Sequence, residues 1–396
     1  MTIKEGNVKE PSEYEWEAWH QVQKFKGRRL SHGVEQINRL AAQGVAKVSE
    51  GADWVGARVE EQLQSKPRAK AVVSHVRGAA AKGADRVSDA AGAVGGRVPD
   101  WVGTSASAAA SSVASVSRLG LSPARVVRKH QKAGHDVTQL HHLRNLDLEV
   151  VDAVRGRAAN WYYPAMAAAS GVGTGAALTG GTTAVVVGAG VGAAPGAAAI
   201  AGALAVDTAA IVALSSRSVG QIALSYGYDP EQPEEKLFVL AIINAGTAAT
   251  SSAKYAAFAD VSKLTQALVR KKAWKVLNDS VVTKVATKFS SAFGVRLTQQ
   301  GLGKLVPGAG MAVGATLNWA TLESIVDAAD VAYRWRFLAD KYPHLVDESA
   351  AFGGVDDEEA VDLQDVDISV VDVLTAEGVV IDDGDEPQSP GDVRLP

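Results

Sequence analysis

Residues 164–206 read PAMAAASGVGTGAALTGGTTAVVVGAGVGAAPGAAAIAGALAV. No side chain in this window is charged, and Gly, Ala, Val and Thr make up nearly all of it. So long a stretch cannot lie as an ordinary solvated surface; it is covered by protein, by lipid or by a ligand. It would hold two helices of about 20 residues joined near Gly180-Gly181. Hydropathy argues against lipid. Residues 184–206 carry about seven large aliphatics, each worth roughly −0.3 to −0.6 kcal/mol of insertion. Glycine spacing argues for paired helices. Gly171 and Gly175, then Gly188, Gly192 and Gly196, and further on Gly308, Gly310 and Gly314, form ridges of small residues along which helix backbones can touch. The expected fold is all-α, a multi-helix bundle with Gly-rich helical hairpins and a disordered acidic C-terminal tail.

The same window offers a dinucleotide-site reading. Residues 182–206 look like strand, GxGxxA loop and helix, with Gly188, Gly190 and Ala193 at the right spacing and Asp207 as the following acid. Pro195 stands inside the would-be helix, however. The acid should end a second strand, but DTAAIVALSSRSVGQIALSY continues in helical spacing. No further alternation of strand and helix follows, so no cofactor is expected.

Composition narrows the chemistry. The 396 residues are 47% hydrophobic, with Ala and Val predominating, so the chain folds. The absence of cysteine excludes disulfides, thiolate metal sites and a Cys nucleophile. The opening MTIKEGNVKEPSEYEWEAW has no apolar signal region. The expected location is cytoplasmic, peripheral at the inner face of the cell membrane.

Charge is unevenly spread. Residues 20–160 hold 22 Lys/Arg against 12 Asp/Glu, whereas residues 344–396 hold 16 acids and one Arg. A basic region before the core and an acidic tail after it suggest an interaction surface plus a solvating tail. The basic residues are dispersed and lack interleaved aromatics, which argues against nucleic acid. A membrane surface or membrane protein is the expected partner of the basic region. A protein partner is the expected partner of the tail.

Four segments follow along the chain. Residues 1–30 hold an amphipathic helix that joins the core, with Ser12 and Glu15 at capping-box spacing. Residues 31–122 are an Ala/Gly/Val-rich helical region with a weak 39-residue repeat, in which residues 41–59 align with 80–98. Residues 123–343 form a helical core. Within it, 123–163 read as strongly helical, with Pro123 at the first helical position after Ser122. Gly227 is the natural stop of the following helix, and Pro233-Glu234-Glu235 make the first turn of the next. Residues 234–293 read as helix, 301–320 as a Gly-rich turn, and 322–342 as a last helix with Ile325, Ala329, Tyr333, Phe337 and Leu338 on one side. Residues 344–396 are the acidic tail, expected to be disordered, within which DISVVDVL and GVVI could pair.

Chemistry-bearing motifs are sparse. His130, His135, His141 and His142 lie near Asp136 and Glu149, yet no HExxH is present and no metal is expected. No GxSxG supplies a Ser nucleophile, so no catalytic residue is expected. Asp207, Arg217, Asn244, Asn318, Asp327 and Asp330 are polar groups in apolar helices. Buried polar groups must be paired, so these six are the candidate buried polar network.

Several of these stretches resemble the EcsC family. The resemblance rests on LRNLDLEVVDAV, ASGVGTGAALTG, DTAAIVALSSRSVGQIALSYGYDPEQPEEKLFVL and LVPGAGMAVGATLNWATLESIVDAADVAYRWRFLADKY. EYEWEAW near the start is similar to the family's opening helix. The YGYDPEQPEEK turn and the PGAGMAVGATLN element are its specific parts. The resemblance implies an all-helical bacterial protein associated with an ABC transporter and with secretion, and it supplies no catalytic residues. Residues 31–120 and the acidic tail depart from the family pattern.

Overall fold

In the computed structural model, residues 10–25, 121–156, 160, 162–169, 210–248, 251–270, 274, 275, 277, 280–289, 310–345 and 369–381 are described. The fold of these residues is all-α. Helix α1 (Glu13–Gln23) opens with a complete capping box. The Ser12 hydroxyl accepts from Glu15 N and the Glu15 carboxylate accepts from Ser12 N. Ala18, Trp19 and Val22 turn into the core. Helix α2 (Pro123–Lys132) has proline at its first turn and buries Val126, Val127 and His130 on one face.

The continuous helix expected over 123–163 is broken twice. Gly134 and Gly156 take positive φ values of 90° and 66°, which an α-helix cannot pass through. Between them lie a 3-10 segment, Leu140–Asn145, and helix α3 (Leu148–Arg155). Helical residues 162–169 (α4) and 210–225 (α5) follow. Gly227, at φ 89°, ends α5 as expected: Gly227 N bonds Leu224 O and Tyr228 N bonds Ala223 O.

Helix α6 (Pro233–Thr247) is buried from Leu237 through Thr247. It packs between α7 (Ser251–Val269) and the long α9 (Gly310–Lys341), with residues 280–289 (α8) adding Val281, Val282, Val285 and Phe289 to the same core. The helix expected over 234–293 is therefore interrupted, by residue 248 and by a two-residue strand β1 (Trp274–Lys275). Helix α9 reaches back through residues expected to be turn, so that 310–320 is helical. At about 1.5 Å per residue it runs roughly 48 Å and forms the spine of the bundle. Ile325, Ala329, Tyr333, Phe337 and Leu338 are all buried, as their spacing predicts.

Backbones do touch through glycine, but at a position outside the predicted ridges. A Cβ on Gly246 of α6 would sit 2.6 Å from Ile325 Cα of α9. Gly310 and Gly314 lie on α9, and Gly314 is buried. Gly171, Gly175, Gly188, Gly190, Gly192, Gly196 and Gly308, with Ala193, lie outside the described residues, as does the repeat at 41–98. Among the described residues no helix is long and apolar enough to cross a membrane.

Part of the acidic tail is folded. Helix α10 (Val370–Ala376) and strand β2 (Val380–Ile381) dock on the core, burying Val370, Leu374 and Val379. Strand β2 pairs antiparallel with β1, Trp274 opposite Ile381 and Lys275 opposite Val380. Among the described residues DISVVDVL and GVVI therefore form no strand pair; one bond, Val379 N to Leu374 O, joins them across the turn. Asp260 on α7 explains the helix: its carboxylate accepts from Ser369 Oγ at 3.0 Å and Val370 N at 2.7 Å, satisfying the helix start from outside. Lys284 and Lys288 hold Glu377 at the other end.

Candidate functional site

The turn after α5 sets two tyrosines on either side of one glycine. A Cβ on Gly227 would lie 3.1 Å from Leu140 O, 3.1 Å from Arg144 Cγ and 3.2 Å from Leu143 Cβ, so the 3-10 segment packs directly on the turn. Tyr226 and Tyr228 are both buried, and each leads to a separate group of charges.

The Tyr226 side is a closed ion cluster. The Tyr226 hydroxyl donates to Asp152 Oδ1 at 2.9 Å and accepts from Arg155 at 3.3 Å and Arg334 at 3.2 Å. Asp152 also accepts from Arg334 at 2.5 Å and from the Tyr14 hydroxyl at 2.8 Å. Arg155 pairs with Asp330, and Asn160 bridges the two, accepting from Arg155 at 3.2 Å and donating to Asp330 at 2.8 Å. Two aspartates thus face two arginines, with Arg155 Nε left over. Burial pushes the Tyr226 phenol far above its ordinary range, with the arginines pulling the other way. Residues from α1, α3, α5 and α9 meet here, so the cluster fixes how those helices cross.

The Tyr228 side opens to solvent. Its hydroxyl donates to Asp340 at 2.6 Å, and Arg144 reaches the same carboxylate at 3.6 Å. The Arg336 guanidinium stacks 4.0 Å above the Tyr228 ring and pairs through Nη2 with Glu235 at 2.5 Å. Burial pushes the Glu235 carboxyl up, and Arg336 opposes that. These groups wall a cleft of about 570 Å³ between the starts of α2 and α6, the 3-10 segment and α9. The cleft lies along the YGYDPEQPEEK turn: Gly227, Tyr228, Asp229, Gln232, Glu234 and Glu235 all line it.

A third group ties α1 down. Glu15 accepts from Lys341 and from the Tyr342 hydroxyl, both at 2.7 Å, and from Leu148 N at 3.2 Å. Burial works to raise the Glu15 carboxyl, but these bonds and that from Ser12 outweigh it and hold it below the usual range.

Of the six polar residues expected to form one network, five are described. Asp330 enters the Tyr226 cluster. Arg217 is half-buried on α5 beside Tyr162 and Tyr163; burial pushes the Tyr163 phenol up to about 12, with Arg217 opposing. Asn244 and Asn318 are buried, Asp327 is half-buried, and all three are engaged. Asp207 lies outside the described residues. The sequence reading missed Asp152, Arg155, Tyr226, Tyr228, Glu235 and Asp340. One available signal was opposite charge four residues apart on α9, in Asp330/Arg334 and Arg336/Asp340.

Of the histidines, His130 is buried, and burial, with His135 and Lys129 adding, pushes it down to about 4. His141 and His142 stack edge-on at 4.6 Å. Among the described residues no three His, Asp or Glu groups converge as metal ligands.

The class defined by fold and site is an all-helical bundle with a closed interior ion cluster and an adjoining polar cleft. The EcsC protein family model matches residues 177–338, which include Tyr226, Tyr228, Glu235, Arg334 and Arg336. Over 138 residues the chain is 27% identical to a Bacillus subtilis (strain 168) protein described as "uncharacterized protein YdbA". That match covers 35% of this chain and 48% of the relative, so the chain spans about half the length of the curated relative it matches. No solved structure matches.

Proposed function

We propose that the protein is a non-enzymatic helical module that attaches to an anionic membrane surface. The observation behind this reading is the solvent face of α2. Arg125, Arg128, Lys129 and Lys132 are all exposed there, and no acid occurs from 121 to 135. The opposite face is anchored by Val126, Val127 and His130, so the cations stand on a fixed platform. Such a face meets phosphate headgroups without inserting, each Lys or Arg near the surface contributing about 1 kcal/mol. The basic excess of the preceding segment extends the same charge. The mutual pairing of Asp152, Arg155, Asp330 and Arg334 supports a structural interior over a catalytic one. The EcsC resemblance adds a membrane transporter as the proposed neighbour at that surface.

Flotation of the full chain with vesicles decides the matter. Binding is expected to vesicles containing anionic lipid and to be absent with purely zwitterionic ones. Reversing Arg125, Arg128 and Lys132 to Glu should weaken it by about a hundredfold or more. Equal flotation with both vesicle types, or none with either, defeats the proposal.

A further inference from the structure

Apart from any membrane role, the Tyr228 cleft has unspent hydrogen-bonding capacity, and its sign is informative. Arg336 is 5% exposed, yet its Nε and Nη1 groups have no partner. A buried guanidinium with two idle donors is costly, because each forgoes water without replacement. Two helices begin at the same cleft, α2 at Pro123 and α6 at Pro233, and neither N-cap side chain accepts a hydrogen bond. Their first-turn N–H groups add partial positive charge. Arg144, at the rim, reaches Asp340 at 3.6 Å and lies 5.3 Å from the Tyr228 ring centre, and its side chain is 40% exposed.

The carboxylates of the cleft are mostly engaged. Asp229 accepts from Glu231 N, Asp340 from Tyr228, and Glu235 from Arg336 through one oxygen. Among the described residues that line the cleft, Glu235 Oε2 is the buried acceptor without a partner. The capacity left unspent in the cleft wall is therefore chiefly donor, on buried nitrogens just beneath its surface. Four acids nevertheless line it, and they oppose a doubly charged guest. Leu140, Leu268 and the Tyr228 ring supply an apolar wall.

We infer that the cleft binds a small carboxylate-bearing molecule, its carboxylate received by Arg336 and Arg144 beside the starts of α2 and α6, its carbon skeleton against Leu140 and Leu268. A carboxylate carries one charge and two acceptor oxygens, which suits donors in excess within an acid-lined wall.

The test uses the full chain in thermal-shift and calorimetric titrations. Acetate, succinate and octanoate are the probes, with chloride, inorganic phosphate and ethylammonium at matched ionic strength. At least one carboxylate should bind saturably and raise Tm by a few degrees. Arg336→Lys should weaken it by about tenfold or more, and Arg144→Ala by severalfold. Should the lysine variant fail to fold by circular dichroism, Arg144→Ala alone decides. No saturable carboxylate binding, saturation by phosphate or ethylammonium alone, or an affinity unchanged in the folded variants would overturn the inference.

Discussion

Tyr226 and Tyr228 stand two residues apart and belong to opposite kinds of polar interior. Around Tyr226, two arginines and two aspartates satisfy one another almost completely. Around Tyr228, a similar stock of charges leaves Arg336 half-used and faces a cleft. The difference lies in geometry. The first cluster lies where α1, α3 and α9 meet the turn after α5, and its half-buried charges pair with one another. The second lies where two helices start and a 3-10 segment crosses, and those elements meet without filling the space. Composition alone does not make a site; what counts is the hydrogen-bonding capacity that packing leaves unspent.

The sharpest way to break this contrast is to remove one aspartate from each side. Asp152→Asn should cost about 3–5 kcal/mol, because it leaves Arg334 uncompensated in the interior and strips Tyr14 and Tyr226 of a charged acceptor. Asp340→Asn should cost about 1 kcal/mol, since it keeps an acceptor for Tyr228 and since Arg144 can turn to water. Urea unfolding followed by circular dichroism measures both. Equal losses would show that the two regions are not different in kind.

The next effect falls on the hinge between them. Gly227→Ala must hold a side chain at φ 89° and press its Cβ against Leu140 O, Leu143 and Arg144. A loss of about 2–3 kcal/mol is expected. Spacing of the two tyrosines would change with it, so the variant should also weaken carboxylate binding in the cleft. A fully stable variant with an unaltered cleft would show that the turn does not set the two sites.

Local signals were legible in the sequence. Ser12 with Glu15, Pro123 after Ser122, Gly227 and Pro233 each mark a helix end through chemistry confined to a few residues, and each falls where the structure has it. The apolar row from Ile325 to Leu338 was legible for the same reason. Gly134 and Gly156 were underweighted: the 3–4 spacing of Leu140, Leu143 and Leu146 looked helical, but positive φ on either side confines it to a 3-10 segment. The polar clusters were mostly illegible. Asp152 meets Arg334 across 182 residues, and Asp260 caps the start of α10 across 110, so no spacing rule connects them. The acidic tail illustrates the point: Val370, Leu374 and Val379 form a helix and its stop only against Asp260 and the core, which a reading by composition does not contain.

The smallest effect concerns acid. In the two tyrosine clusters neither the phenols, pushed upward, nor the arginines, which stay charged, titrate in the mildly acidic range. His130 does. Buried under α2, it is pushed down to about 4 from an ordinary 6.5. The unfolded chain therefore binds its proton first as pH falls, and stability is lost progressively from about 6.5 toward 4. His130→Gln should remove on the order of 1–2 kcal/mol of that loss and flatten the stability profile in this window, at little cost near neutrality. Glu15 acts lower. Its depressed carboxyl contributes stability above the usual Glu range, which is lost as pH falls through the folded value, so a slope below about pH 4.5 should survive the His130 substitution. If the slope between 4 and 6.5 is undiminished in the variant, some other buried group titrates there. Glu235 is not that group: raised by burial and only partly offset by Arg336, it takes up its proton in the fold first and adds stability as pH falls, so Glu235→Gln should deepen the acid loss in the same measurement.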